Sequence, residues 1–143
     1  MAKPDPALLD PARYPFSCQI ETRYRDLDSN LHINNGVMAS LLEEGRVRFH
    51  RASQFGGVSG DVTAMVVSAA IEYLGESHHP EPLDMNLGIG RIGTSSYELC
   101  QLVMQGSHVI AFASVTLVCM KHGKPYAISS ENREKAQAWM MAS

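Results

Sequence analysis

A chain that offers one long apolar helix and a run of strands has few ways to bury its core. Val37, Met38, Leu41, Leu42, Gly45 and Phe49 recur at helical spacing and make one apolar stripe over residues 34–53. Glu43, Arg46, Arg48, His50 and Arg51 lie largely off that stripe, and Glu44 stands four residues before Arg48 in the favourable orientation. Asn34 or Asn35 supplies the N-cap. A strand over 16–24 precedes this helix, with Phe16, Cys18 and Ile20 alternating against Ser17, Gln19 and Glu21. Strands follow over 65–74, 83–92, 96–104 and 109–120, the last apolar on both faces as a central strand would be. Turns fall at Gln105-Gly106-Ser107 and Lys121-His122-Gly123-Lys124, and residues 129–141 read as a second helix capped by Ser129 or Ser130. A sheet that long needs its apolar face covered, and only the first helix can cover it. The expected architecture is an α+β fold, a curved antiparallel sheet wrapped round that helix.

The 143 residues read as a single domain spanning 1–143, in which the proline-rich residues 1–15 form an extended N-terminal arm. The segment 56–60, rich in glycine, is a flexible connection. Twelve Lys and Arg against fifteen Asp and Glu leave a net charge of −3, which argues against nucleic-acid binding through a bulk basic surface. The longest apolar run, residues 110–120, is far short of the ~20 residues a bilayer-spanning helix needs. Residues 1–10 show no signal-peptide pattern. Three widely spaced cysteines, Cys18, Cys100 and Cys119, read as inert thiols of a reducing cytoplasm.

The polar stretch 23–35 leaves a strand and opens the helix. It places two carboxylates, one imidazole and three amides within thirteen residues. A helix N-terminus has unpaired N–H groups and a partial positive charge, so it can hold a developing oxyanion. A carboxylate beside it stays ionised and can act as base or nucleophile. Polar caps and Asx-turns use the same residue types, so composition alone leaves both readings open.

The spacing is more specific. Asp26-Leu27-Asp28-Ser29-Asn30-Leu31-His32-Ile33-Asn34-Asn35 resembles the Asp-x-Asn-x-His-Val-Asn-Asn signature of acyl-ACP thioesterases and, more broadly, the Asp-x-x-x-His-x-Asn-Asn loop of the 4-hydroxybenzoyl-CoA thioesterase-like family. Weaker matches are Glu43-Glu44-Gly45-Arg46, Gly93-Thr94-Ser95-Ser96 and Gly123-Lys124-Pro125. The resemblance implies the hot-dog fold and thioester hydrolysis. It implies Asp28 as the catalytic carboxylate, Asn30 and His32 as its polar partners, and the backbone N–H near Asn35 as oxyanion donor. Glu72-Tyr73-Leu74-Gly75-Glu76-Ser77 nominates Glu76 as a further acid. Three positions depart from the pattern. Leu31 stands where many relatives have Gly, Met38 where many have Tyr, and Ser77 where plant relatives carry Cys.

A thiolate leaving group with a pKa near that of Cys, about 8.5, needs little acid help, so one carboxylate and oxyanion donors suffice. Acyl-CoA or acyl-ACP is the expected substrate, with Arg91, Lys121 and Lys124 as candidates for a phosphate-binding rim. No cofactor and no metal is expected. A single unit leaves sheet edges open, which points to a homodimer or tetramer with sites at the interface. Asp26, beside Arg23 and Arg25, reads as a structural ion-pair member, and Glu43 and Glu44 as ion-pairing groups. His78-His79-Pro80-Glu81 reads as an exposed turn, and His50 and His108 as structural. The alternatives are a non-catalytic acyl-CoA-binding module and a hydratase; the order of Asp, Asn and His disfavours the hydratase.

Overall fold

The computed structural model describes residues 4–56 and 60–142. The helix α1 spans Asn35–Ser53. Six strands form one antiparallel sheet: β1 (Phe16–Ile20), β2 (Val62–Tyr73), β3 (Leu83–Ile92), β4 (Ser96–Gln105), β5 (His108–Lys121) and the two-residue β6 (Lys124–Pro125). Their spatial order is β1-β3-β4-β5-β2, with β6 paired to β5. This is the curved sheet around one helix expected from the strand order.

Alternation along each strand decides which residues meet the helix. Leu83, Met85, Leu87 and Ile89 of β3, Tyr97, Leu99 and Val103 of β4, and Ala113, Val115 and Leu117 of β5 are buried in one cluster with Met38, Leu41, Leu42 and Phe49 of α1. Gly45 lets α1 sit close to β3, since a Cβ there would lie 2.7 Å from Met85 Cγ. On the opposite face Cys100 and Leu102 of β4 and Phe112 of β5 form a second cluster with Tyr14. The β5–β6 turn has both central residues, His122 and Gly123, at positive φ, the conformation that matches strand twist in a two-residue hairpin.

Local boundaries depart from expectation in four places. The arm is not extended where it is described: Pro6–Leu9 and Pro11–Arg13 are 3-10 turns, capped by the Asp5 and Asp10 carboxylates. The arm folds back because Leu8, Leu9 and Tyr14 find apolar cover on the second cluster, and Tyr14 donates to the Leu8 carbonyl at 2.6 Å. Its first three residues, and residues 57–59 of the glycine-rich connection, lie outside the described residues. β1 stops at Ile20 because the Asp26 carboxylate accepts the Arg23 N–H and closes a 3-10 turn over Tyr24–Asp26. β2 begins at Val62, pairing with the end of β5, and the last helix α2 covers only Ser130–Ala136. A 3-10 turn, Gln137–Trp139, follows α2, and Met140 then bridges to Ile89. Among the described residues no helix is long and apolar enough to cross a membrane.

Candidate functional site

The loop before α1 is held by its own carboxylates. Asp26 is 1% exposed, and the Arg23 guanidinium pairs with it at 2.8 Å. Burial alone would raise the Asp26 pKa. The hydrogen bonds and charge of Arg23 outweigh it and hold the carboxyl below its ordinary range. The Asp26 carbonyl accepts the Asn34 N–H at 2.9 Å, so this ion pair sets where the helix begins.

Asp28 lies two residues on and has no cationic partner among the described residues. Its Oδ1 accepts the N–H of Asn30 at 2.8 Å and of His32 at 3.2 Å, while its own N–H donates to the His32 carbonyl. The five residues from 28 to 32 thus fold tightly about one carboxylate. Closing that turn puts Leu31 at φ +62°, a conformation that suits glycine. The departure at Leu31 is therefore a real strain, carried by an exposed side chain.

At the helix start Asn34 is the N-cap. Its Oδ1 accepts the N–H of Gly36 at 2.8 Å and of Val37 at 3.3 Å. The Asn35 N–H has no protein acceptor among the described residues. The cap thereby satisfies its neighbours and leaves this one donor at the positive end of the helix. The Asn35 carbonyl accepts the Tyr73 hydroxyl at 3.0 Å, which ties the end of β2 to the helix start.

The segment after β2 runs beside this loop, with the Ile33 N–H donating to the Ser77 carbonyl at 3.0 Å. That pairing delivers Glu76 to His32, with 3.2 Å between Oε2 and Nε2. It also delivers His78, whose ring centroid lies 5.1 Å from that of His32. Asp28, Asn30, His32, Asn35 and Glu76 therefore share one end of the molecule. Asn30 takes part in the turn through its backbone N–H. Tyr73 and His78 are additions to the residues expected from sequence. Tyr73 stands inside the quoted Glu-Tyr pair, and His78 inside a motif that reads as a turn; neither shows locally what it touches.

Arg91, Lys121 and Lys124 lie at the other end of the sheet. Lys121 is eleven residues beyond Ile110, about 35 Å along β5, and it is Ile110 whose carbonyl meets Leu74 and Gly75 next to the site. Arg91 pairs with Glu98 near the far end of β3. A cleft of about 780 Å³ opens beside the second half of α1, lined among others by Glu43, Arg46, His50, Val66 and Tyr126. It includes none of the five residues above.

The thiols are not activated. Burial pushes Cys100 up to about 11, helped by Glu98, and burial raises Cys18 and Cys119 as well.

The sequence profile of the thioesterase-like superfamily matches residues 22–140. No curated protein matches significantly. Among solved structures, the PA5185 protein of Pseudomonas aeruginosa strain PAO1 is similar with a TM-score of 0.81 at 22% identity, covering 92% of this chain and 96% of its own. A thioesterase from Thermus thermophilus, solved with coenzyme A and Zn, gives 0.76 at 24%, covering 89% and 95%. Slr0204, a 1,4-dihydroxy-2-naphthoyl-CoA thioesterase from Synechocystis, gives 0.74 at 16%, covering 85% and 95%. At these identities the likeness shows a shared fold.

Proposed function

The chain belongs to the thioesterase-like superfamily, and from that premise we propose that it hydrolyses acyl-CoA or acyl-ACP with Asp28 as its carboxylate. The observation that carries the reading is an Asp28 carboxylate without a cationic partner among the described residues, in the loop that leads to an unclaimed Asn35 N–H at the start of α1. The thioester carbonyl oxygen accepts from that N–H, where the helix charge favours a developing oxyanion. The hydrogen bonds of Asp28 within the turn fall on Oδ1, which leaves Oδ2 without a hydrogen-bond donor among the described residues and free to serve as base or nucleophile. As base, it takes a proton from water, the hydroxide adds to the carbonyl carbon, and the thiolate leaves. As nucleophile, it adds directly, expels the thiolate, and the resulting anhydride is cleaved by water. Both routes use the same carboxylate and the same oxyanion donor; they differ in whether a water stands between Asp28 and the carbonyl carbon. Mass spectrometry of enzyme quenched during turnover separates them, because only the second leaves an acyl group on Asp28. His32, held against Glu76, positions water and passes the proton onward.

The second half of the reading is a homodimer through β2. This edge strand has twelve residues, of which Glu72 alone is charged, and it exposes Met65, Val66, Val67 and Tyr73. Edges of that length and character are normally covered or blunted by charge. The opposite edge, β1, is only five residues long. Two β2 strands pairing antiparallel about a twofold axis near Val67 set residue 73 of one copy beside residues 61–62 of the other. Val62 pairs with Lys121 in its own chain. The partner's Lys121 and the partner's Lys124 thus reach the rim of the site, where phosphates of the carrier would lie. The partner's Arg91, two strands further in than Lys121, contributes at longer range. The three free thiols suit a cytoplasmic setting.

The test is thiol release from short, medium, long and aromatic acyl-CoA and from acyl-ACP. Wild type should turn over at least one class, and Asp28→Asn should lower kcat by roughly 10²–10⁴-fold with folding intact. Binding without turnover across both carriers would favour the ligand-sensing alternative. Lys121→Ala with Lys124→Ala should raise KM for acyl-CoA with kcat kept. Light scattering that returns only monomer would sink the shared site.

A further inference from the structure

His32 and Glu76 meet a third metal-binding side chain that hydrolysis does not use. One ligand atom from each of His32, Glu76 and His78 lies within 4.8 Å of the other two. Two imidazoles and a carboxylate are a donor set that zinc takes with a fourth position left for water. Bonds of about 2.0–2.1 Å in a tetrahedron separate ligand atoms by about 3.3 Å. The His32 Nε2 to Glu76 Oε2 distance is already 3.2 Å. The remaining gaps close by about 1.5 Å at most, which rotation of the exposed Glu76 and His78 side chains supplies.

The backbones that carry these ligands are fixed. The buried Gln105 side chain grips His78 on both sides: its Oε1 accepts the His78 N–H at 2.9 Å, and its Nε2 donates to the His78 carbonyl at 2.9 Å. The Ile33–Ser77 hydrogen bond locks the two segments together, and Asp28 Oδ1 holds the His32 N–H. Only side-chain rotations remain to be ordered by a bound ion, which keeps the entropic cost low.

We propose that His32, Glu76 and His78 form a binding site for a zinc-class divalent cation, and that its occupancy switches the hydrolytic site off. The inhibitory part rests on the reading of His32 and Glu76 as members of that site. A zinc ion there takes the His32 lone pair and the Glu76 carboxylate, so neither can position water or carry a proton. His78 serves the ion alone.

Calorimetric titration of chelator-treated protein with zinc chloride tests the site without reference to turnover. Wild type should bind one zinc per chain. His78→Ala should weaken binding more than about tenfold, since even outer-shell changes at metal sites cost about 10–100-fold. Cys18→Ser should change nothing, and magnesium, which prefers oxygen ligands, should not bind. Equal zinc affinity in wild type and His78→Ala would overturn the site, as would its loss in Cys18→Ser. Thioester hydrolysis then tests the switch. Zinc should suppress wild-type turnover, and His78→Ala, scored against its own zinc-free rate, should need more than about tenfold more zinc for the same fractional loss. Zinc binding at this site with turnover unchanged or raised would overturn the switch and leave the hydrolytic reading standing. If no thioester is turned over at all, the calorimetry still decides the site and the inhibitory role falls with the hydrolytic reading.

Discussion

The two ends of α1 carry similar side chains put to opposite uses. At the C-terminal end His50 shares a hydrogen bond of 2.8 Å with the Tyr97 hydroxyl, and Arg46 donates to Gln101 Oε1 at 2.9 Å. Gln101 is fully buried and also donates to the Leu42 carbonyl. Burial, with the nearby Arg46 charge, pushes His50 down to about 4. These polar groups are spent on joining helix to sheet. At the N-terminal end His32 is 30% exposed and meets an exposed Glu76 and, in a T-shaped contact, the ring of His78, while the cap leaves one N–H unclaimed. An imidazole kept neutral and fully partnered is structural; one held at the surface beside a carboxylate and an open donor is available for chemistry. The same contrast separates Asp26 from Asp28, two residues apart.

The largest effect should come from Asp28→Asn, which keeps an Oδ1 acceptor for Asn30 and His32 and so should preserve the turn while abolishing most turnover. A melting temperature that falls as far as the activity would erase the distinction between the two ends. Next is acid stability. The unfolded chain takes a proton on His50 near pH 6.5, the folded one only near 4, so stability should fall as pH drops through that window and level off below it. His50→Gln should flatten this slope, which reaches up to about 1.4 kcal/mol per pH unit, in urea unfolding at stepped pH. Asp26→Asn should cost about 1–3 kcal/mol at neutral pH by breaking a buried charged hydrogen bond, with kcat retained in the folded fraction. Because the folded Asp26 pKa is depressed, its contribution is present above about pH 3.9 and lost below, and the variant should lack that acid limb. The smallest change is Leu31→Gly. Relief of about 1–2 kcal/mol of left-handed strain, less the added freedom of glycine in the unfolded chain, should stabilise by about 0.5–1 kcal/mol. A destabilised Leu31→Gly would show that the Leu31 side chain supports the loop.

Much of the fold is legible in the sequence. The α1 stripe predicts the buried Met38, Leu41, Leu42, Gly45 and Phe49, because a 3.6-residue period shows directly which side faces a core. The bounds of β3 read to the residue, and Leu83, Met85, Leu87 and Ile89 recur at the two-residue strand period that turns them toward the helix, although Asn86 and Gly88 between them are buried as well. The strand pattern overruns the end of β1 by four residues, since nothing local reveals that Asp26 closes a turn on Arg23. The arm reads as extended because prolines disfavour helices, yet Asp5 and Asp10 cap two short 3-10 turns. His78 reads as a turn residue, and its neighbour His32 lies forty-six positions away.

Local sequence alone determined the element order, the central helix, its asparagine cap and the Asp28 turn, because each depends on residues within a few positions of one another. Tertiary structure decided which carboxylate is buried, which histidine stays neutral and which groups surround His32. The surroundings of His32 arise where the segment after β2 docks on the loop before α1, and the neutral His50 where the other end of α1 packs on Tyr97 of β4; burial and long-range pairing exist only once the sheet has closed round the helix.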